Sequence, residues 1–132
     1  MTIISKNWIM KNPLESLSKC TKLYTSYFSK WKQPGGVSIA LKTPHWYGPV
    51  SQYPSLMPTQ EILFEFKRSH DEVLYTRRYE NEILAKLDPF KVLMDLARAQ
   101  AMLCWEGSDK FCHRHIVGQW LRDRTGIEVV EY

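Results

Sequence analysis

The stretch Ala101 to Leu121, AMLCWEGSDKFCHRHIVGQWL, changes its hydrophobic period halfway along, and this constrains the fold more than any other feature of the chain. Ala101 to Trp105 is a short apolar run of strand character. Gly107, Ser108 and Asp109 supply turn chemistry, after which Ile116, Val117, Trp120 and Leu121 recur at helical spacing. A strand that hands over to a helix across a short polar loop is the building unit of an α/β sheet. Ligands of such sheets sit outside the carboxyl ends of the strands.

That junction also concentrates reactive side chains. Alternation along a strand places Cys104 and Glu106 on one face and Leu103 and Trp105 on the other. Cys112 precedes Ile116 by four residues, and His113 precedes Ile116 and Val117 by three and four. Both are therefore expected on the buried side of the first helical turn, with Arg114 and His115 pointing sideways or outward. The free N–H groups and positive dipole end of that turn make a seat for an anion, and Arg114 adds a fork of donors for a phosphate or carboxylate. The catalytic candidates are Glu106, His113 and Cys112. Glu106 is expected to polarise or activate a substrate, with Cys112 and His113 orienting the site; Arg114 and Cys104 are expected to contact the ligand.

Simpler readings stand beside these. Cys104 in an apolar strand serves as a small buried hydrophobe, His113 as a hydrogen-bonded core histidine, and the whole Cys-His-Arg group as a pin between the last helix and the sheet. Cys104, Cys112, His113 and His115 nominally supply four zinc ligands. Adjacent Cys112 and His113 rarely chelate one ion, however, His115 points away from His113 on a helix, and no Cys-x-x-Cys knuckle is present. The expectation is no metal and no cofactor. A phosphatase-type cysteine loop needs an arginine six residues after the cysteine, but Lys110 follows Cys104 and Gly118 follows Cys112 at that distance. No G-x-S-x-G elbow, P-loop or G-x-G-x-x-G run occurs either.

Upstream, Lys22 to Ser29 and Val37 to Leu41 read as strands on either side of a Pro34-Gly35-Gly36 turn. Lys42 to Pro58 holds four prolines with His45, Trp46, Tyr47 and Tyr53, and reads as a segment without regular structure: a binding loop, a lid or a disordered stretch, the last being the poorest fit to so many aromatics. Three helices follow. Thr59 caps one through Phe66. Ser69 caps a longer one through Lys86 with Tyr75, Tyr79, Ile83 and Leu87 on its buried face. Asp88-Pro89 opens a third to about Ala99. A helix to Arg124 and a strand from Ile127 to Glu131 complete the chain. Strand ends near Tyr27 to Ser29, Lys42 and Glu106 are expected to line one crevice, with Lys42 meeting a phosphate and Trp46 and Tyr47 either covering the sheet, the more common case, or closing over a ring; Tyr27 joins the ligand contacts. Arg78 is expected to pair with Glu82 on a solvated face. Asn12-Pro13 is a candidate start for a short helix reaching Cys20.

The pattern implies an α/β, Rossmann-like three-layer domain with a small, mostly parallel sheet. At 132 residues the chain reads as one domain, with residues 1–20 as an N-terminal extension. The net charge of +4 is spread among acids without a Lys/Arg block, so it permits an anionic partner without requiring nucleic acid. Three cysteines make no disulfide framework. With no signal-peptide core and no apolar run of membrane-spanning length, a cytoplasmic location is expected.

The Leu-Cys-aromatic-Glu strand end followed by Cys-His-Arg-His at a helix start resembles a prokaryotic and phage family called domain of unknown function 488. Segments such as KLYTSYFSKW and VSIALKTPHWYG extend the resemblance over roughly Leu23 to Leu121, leaving Met1 to Lys19 without a counterpart. It implies a Rossmann-like fold and a site at this junction, and no particular substrate. The expected function is an enzyme on a nucleotide or similar phosphorylated small molecule. The alternative is a non-catalytic module, of bacterial or phage origin, that binds nucleic acid or protein. Membrane attachment is not expected, and the sequence does not specify an oligomeric state.

Overall fold

The computed structural model describes residues 22–132, so the Asn12 to Cys20 helix lies outside the described residues. Five strands are β1 (Lys22–Tyr27), β2 (Gly36–Ser38), β3 (Ser51–Gln52), β4 (Ala101–Cys104) and β5 (Glu128–Glu131). Four helices are α1 (Gln60–Ser69), α2 (Glu72–Glu82), α3 (Pro89–Asp95) and α4 (His113–Thr125). The strands form one sheet in the order β3-β2-β4-β1-β5, every pair parallel. Tyr24 to Tyr27 run beside Ala101 to Cys104, and Gly36 to Ser38 run beside Ala101 to Leu103 on the other flank.

Alternation along β4 divides the core. Met102 joins Leu23, Ile39 and Val129 in a cluster with Ile62 of α1, Tyr75 and Tyr79 of α2, Val92 of α3 and Val117 and Leu121 of α4. Ala101 and Leu103 face the other way, against Phe28, Trp31, Ala40, Tyr24, Tyr47 and Val50. The chain direction explains the division. From β1 to β2 to β3 it moves toward one edge of the sheet, and from β3 to β4 to β5 it moves back toward the other. Crossovers of one hand then fall on opposite faces. The outward connections lay down an aromatic layer, in which Trp31 packs 4.8 Å from Tyr132, Phe28 packs 5.0 Å from Tyr47, and Tyr47 Oη donates to Trp31 O at 2.6 Å. The returning connections supply the helices. The product is a Rossmann-like three-layer α/β domain whose sheet is flanked by helices on one side and aromatic loops on the other. Close approach at the sheet requires Gly36: a Cβ there would lie 2.6 Å from Leu103 Cδ1.

Local boundaries follow capping chemistry. Thr59 accepts from Ile62 N at 3.1 Å, Asp71 from Leu74 N at 3.0 Å and Asp88 from Phe90 N at 3.0 Å. Thr59 and Asp88 were expected; Ser69 was expected in place of Asp71. Instead α1 runs on to Ser69, whose Oγ donates to Glu65 O, and His70 turns left-handed (φ 56°) before Asp71 restarts the helix. The Lys42 to Pro58 segment has more order than expected, with β3, short 3₁₀ turns at His45–Tyr47 and Pro54–Leu56, and Leu56 fully buried. Tyr53 Oη ties it to Asp95 at 2.6 Å. Arg78 pairs with Glu82 at 2.7 Å, as the spacing predicts. Among the described residues, no helix is long and apolar enough to cross a membrane.

Candidate functional site

Neighbouring strands β2 and β4 send their chains to opposite faces of the sheet, which opens a crevice between their carboxyl ends. A cleft of about 740 Å³ occupies that place. Ala40 to Lys42 leave β2 along one side, Cys104 to Glu106 leave β4 along the other, and Cys112 and His113 start α4 at the floor. Leu63, Phe66 and Lys67 of α1 with Tyr75 of α2 close the far wall. Phe66 and Phe111 stack at 5.1 Å and Tyr75 meets Phe111 edge-on, so the wall is aromatic.

The floor is a buried cluster of two thiols and an imidazole. Cys104 is the last residue of β4, Cys112 the N-cap of α4 and His113 its first helical residue. His113 Nε2 lies 2.8 Å from the Ile39 carbonyl, which only accepts, so the neutral ring carries its proton on Nε2. The Nδ1 lone pair then faces Cys104 Sγ at 3.5 Å and Cys112 Sγ at 3.9 Å. Cys112 and His113 both point inward, as their spacing to Ile116 predicts, and their ligand atoms converge although adjacent helical residues rarely chelate one ion. Cys112 is still extended (φ −157°, ψ 143°), so the angle between adjacent helical side chains does not apply across this step. The thiols differ in acidity. A hydrogen bond from Cys112 lowers the Cys104 pKa, opposed by burial and reinforced by the Arg114 charge and the Trp105 backbone N–H. Burial pushes Cys112 up, and its neighbour's negative charge adds to that. Of the two thiols, Cys104 is therefore the more readily ionised.

Arg114 departs furthest from expectation. It is fully buried, with Nε and Nη2 donating to Glu131 at 3.1 and 2.8 Å and Nη1 donating to the Glu106 carbonyl at 2.7 Å. Its charge is matched by Glu131 and its fork is engaged, and it supports the floor from beneath instead of presenting donors outward. Burial opposes ionisation of Glu131, but hydrogen bonds from Arg114, Thr25 and Ser108 outweigh it and hold the carboxyl below its usual range. His115 stays outside the thiol cluster, 3.8 Å from Glu131, and burial followed by the Arg114 charge lowers its pKa.

The remaining candidates are spread more widely. Lys42 and Glu106 line the cleft. Glu106 is exposed, because β4 ends at Cys104 and the chain bends, so strand alternation stops before it reaches Glu106. The same bend brings Trp105 into the lining, with its Nε1 donating to Lys42 O at 2.6 Å. Tyr27, Trp46 and Tyr47 are not among the lining residues. Tyr27 stacks on the Arg114 guanidinium (5.6 Å), Tyr47 packs in the aromatic layer, and half-exposed Trp46 leans on Tyr47 and Trp105. Sequence reasoning missed Glu131, Phe66, Tyr75, Phe111, Lys67 and Lys110. For Phe111 the signal was present, as an aromatic directly before the Cys-His-Arg start.

No curated protein and no solved structure matches the chain. A family model described as DUF488-N3a, the active DUF488-N3 subclade, matches residues 23–125. That span runs from β1 to the end of α4 and contains the aromatic wall, the Leu-Cys-Trp-Glu strand end and the Cys-His-Arg helix start; the chain belongs to the DUF488 family.

Proposed function

We propose that this protein is an enzyme that seats a nucleotide, or a phosphorylated metabolite of similar size, in the cleft and acts on it from the Cys104 thiolate. One observation carries the reading: a single cleft joins a buried thiolate-prone cysteine, an aromatic wall and a lysine-rich rim. Its volume lies within the roughly 300–1,000 Å³ range of small-molecule sites. Phe66, Tyr75 and Phe111 offer a planar ring an apolar wall. Lys42, Lys67 and Lys110 around the opening exceed Glu72 and Glu106 in charge and suit a phosphate. Cys104 has the features of a nucleophile: it ends a central strand at the cleft floor, and a hydrogen bond from Cys112, the Arg114 charge and the Trp105 N–H favour its thiolate against the cost of burial. Glu106 stands at the rim as a general acid or base for the leaving group.

Calorimetric titration of the metal-free, reduced chain with a panel of nucleoside mono- and diphosphates tests this. Lys67→Ala and Lys110→Ala are each expected to weaken binding roughly tenfold, about 1.4 kcal/mol, while Cys104→Ser binds but does not turn over. Absence of binding by every phosphorylated small molecule, with salt-sensitive binding of single-stranded oligonucleotides in its place, would identify a nucleic-acid module instead.

A further inference from the structure

We infer that Cys104, Cys112 and His113 form a three-ligand site for a thiophilic divalent cation of the zinc class, with the fourth coordination position open to the cleft. Each residue offers one ligand atom, and the three atoms lie within 4.8 Å of one another. The spacings fit a coordination tetrahedron. With zinc–sulfur and zinc–nitrogen bonds of about 2.3 and 2.0–2.1 Å, the edge between a sulfur and a nitrogen ligand is roughly 3.6 Å. Nδ1 stands 3.5 and 3.9 Å from the two sulfurs.

The surroundings agree. Metal-binding histidines characteristically donate their other ring N–H to a carbonyl or carboxylate, which fixes the ring and raises the basicity of the ligating nitrogen. His113 does this through Nε2 to the Ile39 carbonyl. Two sulfurs and one imidazole match the ligand preference of zinc and of its tetrahedral substitute, cobalt(II). Charge also balances in this buried setting. Arg114 is matched by Glu131, and two thiolates neutralise a divalent ion. Binding releases whatever protons the two thiols still hold and involves no change of oxidation state. All three ligands line the cleft, so the remaining position faces it and takes water or an anionic group. The site stands on geometry alone. Its consequence rests on the function proposed above: the Cys104 lone pair cannot both ligate and attack, so a bound ion silences thiolate chemistry.

The test is titration of the reduced full chain with cobalt(II), then zinc, without substrate. One cobalt per chain is expected, with the visible bands of tetrahedral geometry and a near-ultraviolet thiolate-to-cobalt charge-transfer band, both lost on adding one equivalent of zinc. Cys112→Ser and His113→Gln should each weaken binding by more than the roughly 10-fold to 100-fold cost of losing an outer-shell partner, while Cys20→Ser leaves both bands intact. An octahedral spectrum, a bound ion without the charge-transfer band, or bands that survive both cluster variants would overturn the assignment. The wild-type spectrum decides the matter even where a variant fails to fold. Nucleotide binding is measured on the metal-free chain, so failure of either reading leaves the other standing.

Discussion

Arg114 and Glu131 set the energetics at the scale of single residues. A guanidinium with no exposed surface is tolerable only while its charge and donors are answered, and removing one member of such a pair leaves the other uncompensated. Glu131→Gln and Arg114→Ala are each expected to cost about 3 kcal/mol, read as a shift in the urea unfolding midpoint. The same pair predicts an acid limb. Because the native Glu131 pKa is depressed, its contribution is complete above the ordinary carboxylate range and disappears as pH falls through the lowered native value. Melting temperature followed against pH should therefore fall less steeply on the acid side for Glu131→Gln. Little of this was legible in the chain. Helical spacing correctly turns Cys112 and His113 inward, but it turns Arg114 outward, since nothing in a local window announces a carboxylate seventeen positions later on β5.

At the scale of elements, the helices are held by short-range chemistry that a sequence displays openly. Thr59 and the Asp88-Pro89 pair mark their helix starts because a cap is a contact between residues two or three apart. The choice between Ser69 and Asp71 was harder, since both are good caps and the left-handed His70 between them decides it. Asp71→Ala is expected to destabilise by about 1 kcal/mol in equilibrium denaturation, and Ser69→Ala, which leaves that cap in place, by less. The Lys42 to Pro58 segment shows the opposite limit. Its order comes from distant partners, Tyr79 Oη on Leu56 O at 2.5 Å and Tyr53 on Asp95, so local propensity reads it as plain loop. Tyr79→Phe leaves that buried carbonyl without its donor and should cost about 1–3 kcal/mol, again measured by denaturation.

Across the whole molecule, the reversal of chain direction matters more than any single contact. It puts helices on one face and aromatic loops on the other, and it places β4 at the crevice that becomes the cleft. The alternation of strands and helices makes the α/β class and the location of the cleft readable. Strand order was not readable, because it depends on which strand enters the gap beside β1. Gly36→Ala probes the packing of that gap: the added methyl meets Leu103 and Trp31 and is expected to cost about 1–3 kcal/mol. The same arrangement governs how the protein assembles. β1 and β2 are close in sequence yet never pair, and each needs β4 before its edge is satisfied. No local hairpin can nucleate the sheet, so loop closure across all of α1 to α3 comes before the central pairing. During synthesis, β4 is the last piece that lets the first two hold together, and until it emerges they stand as open edges, available to any other chain within reach.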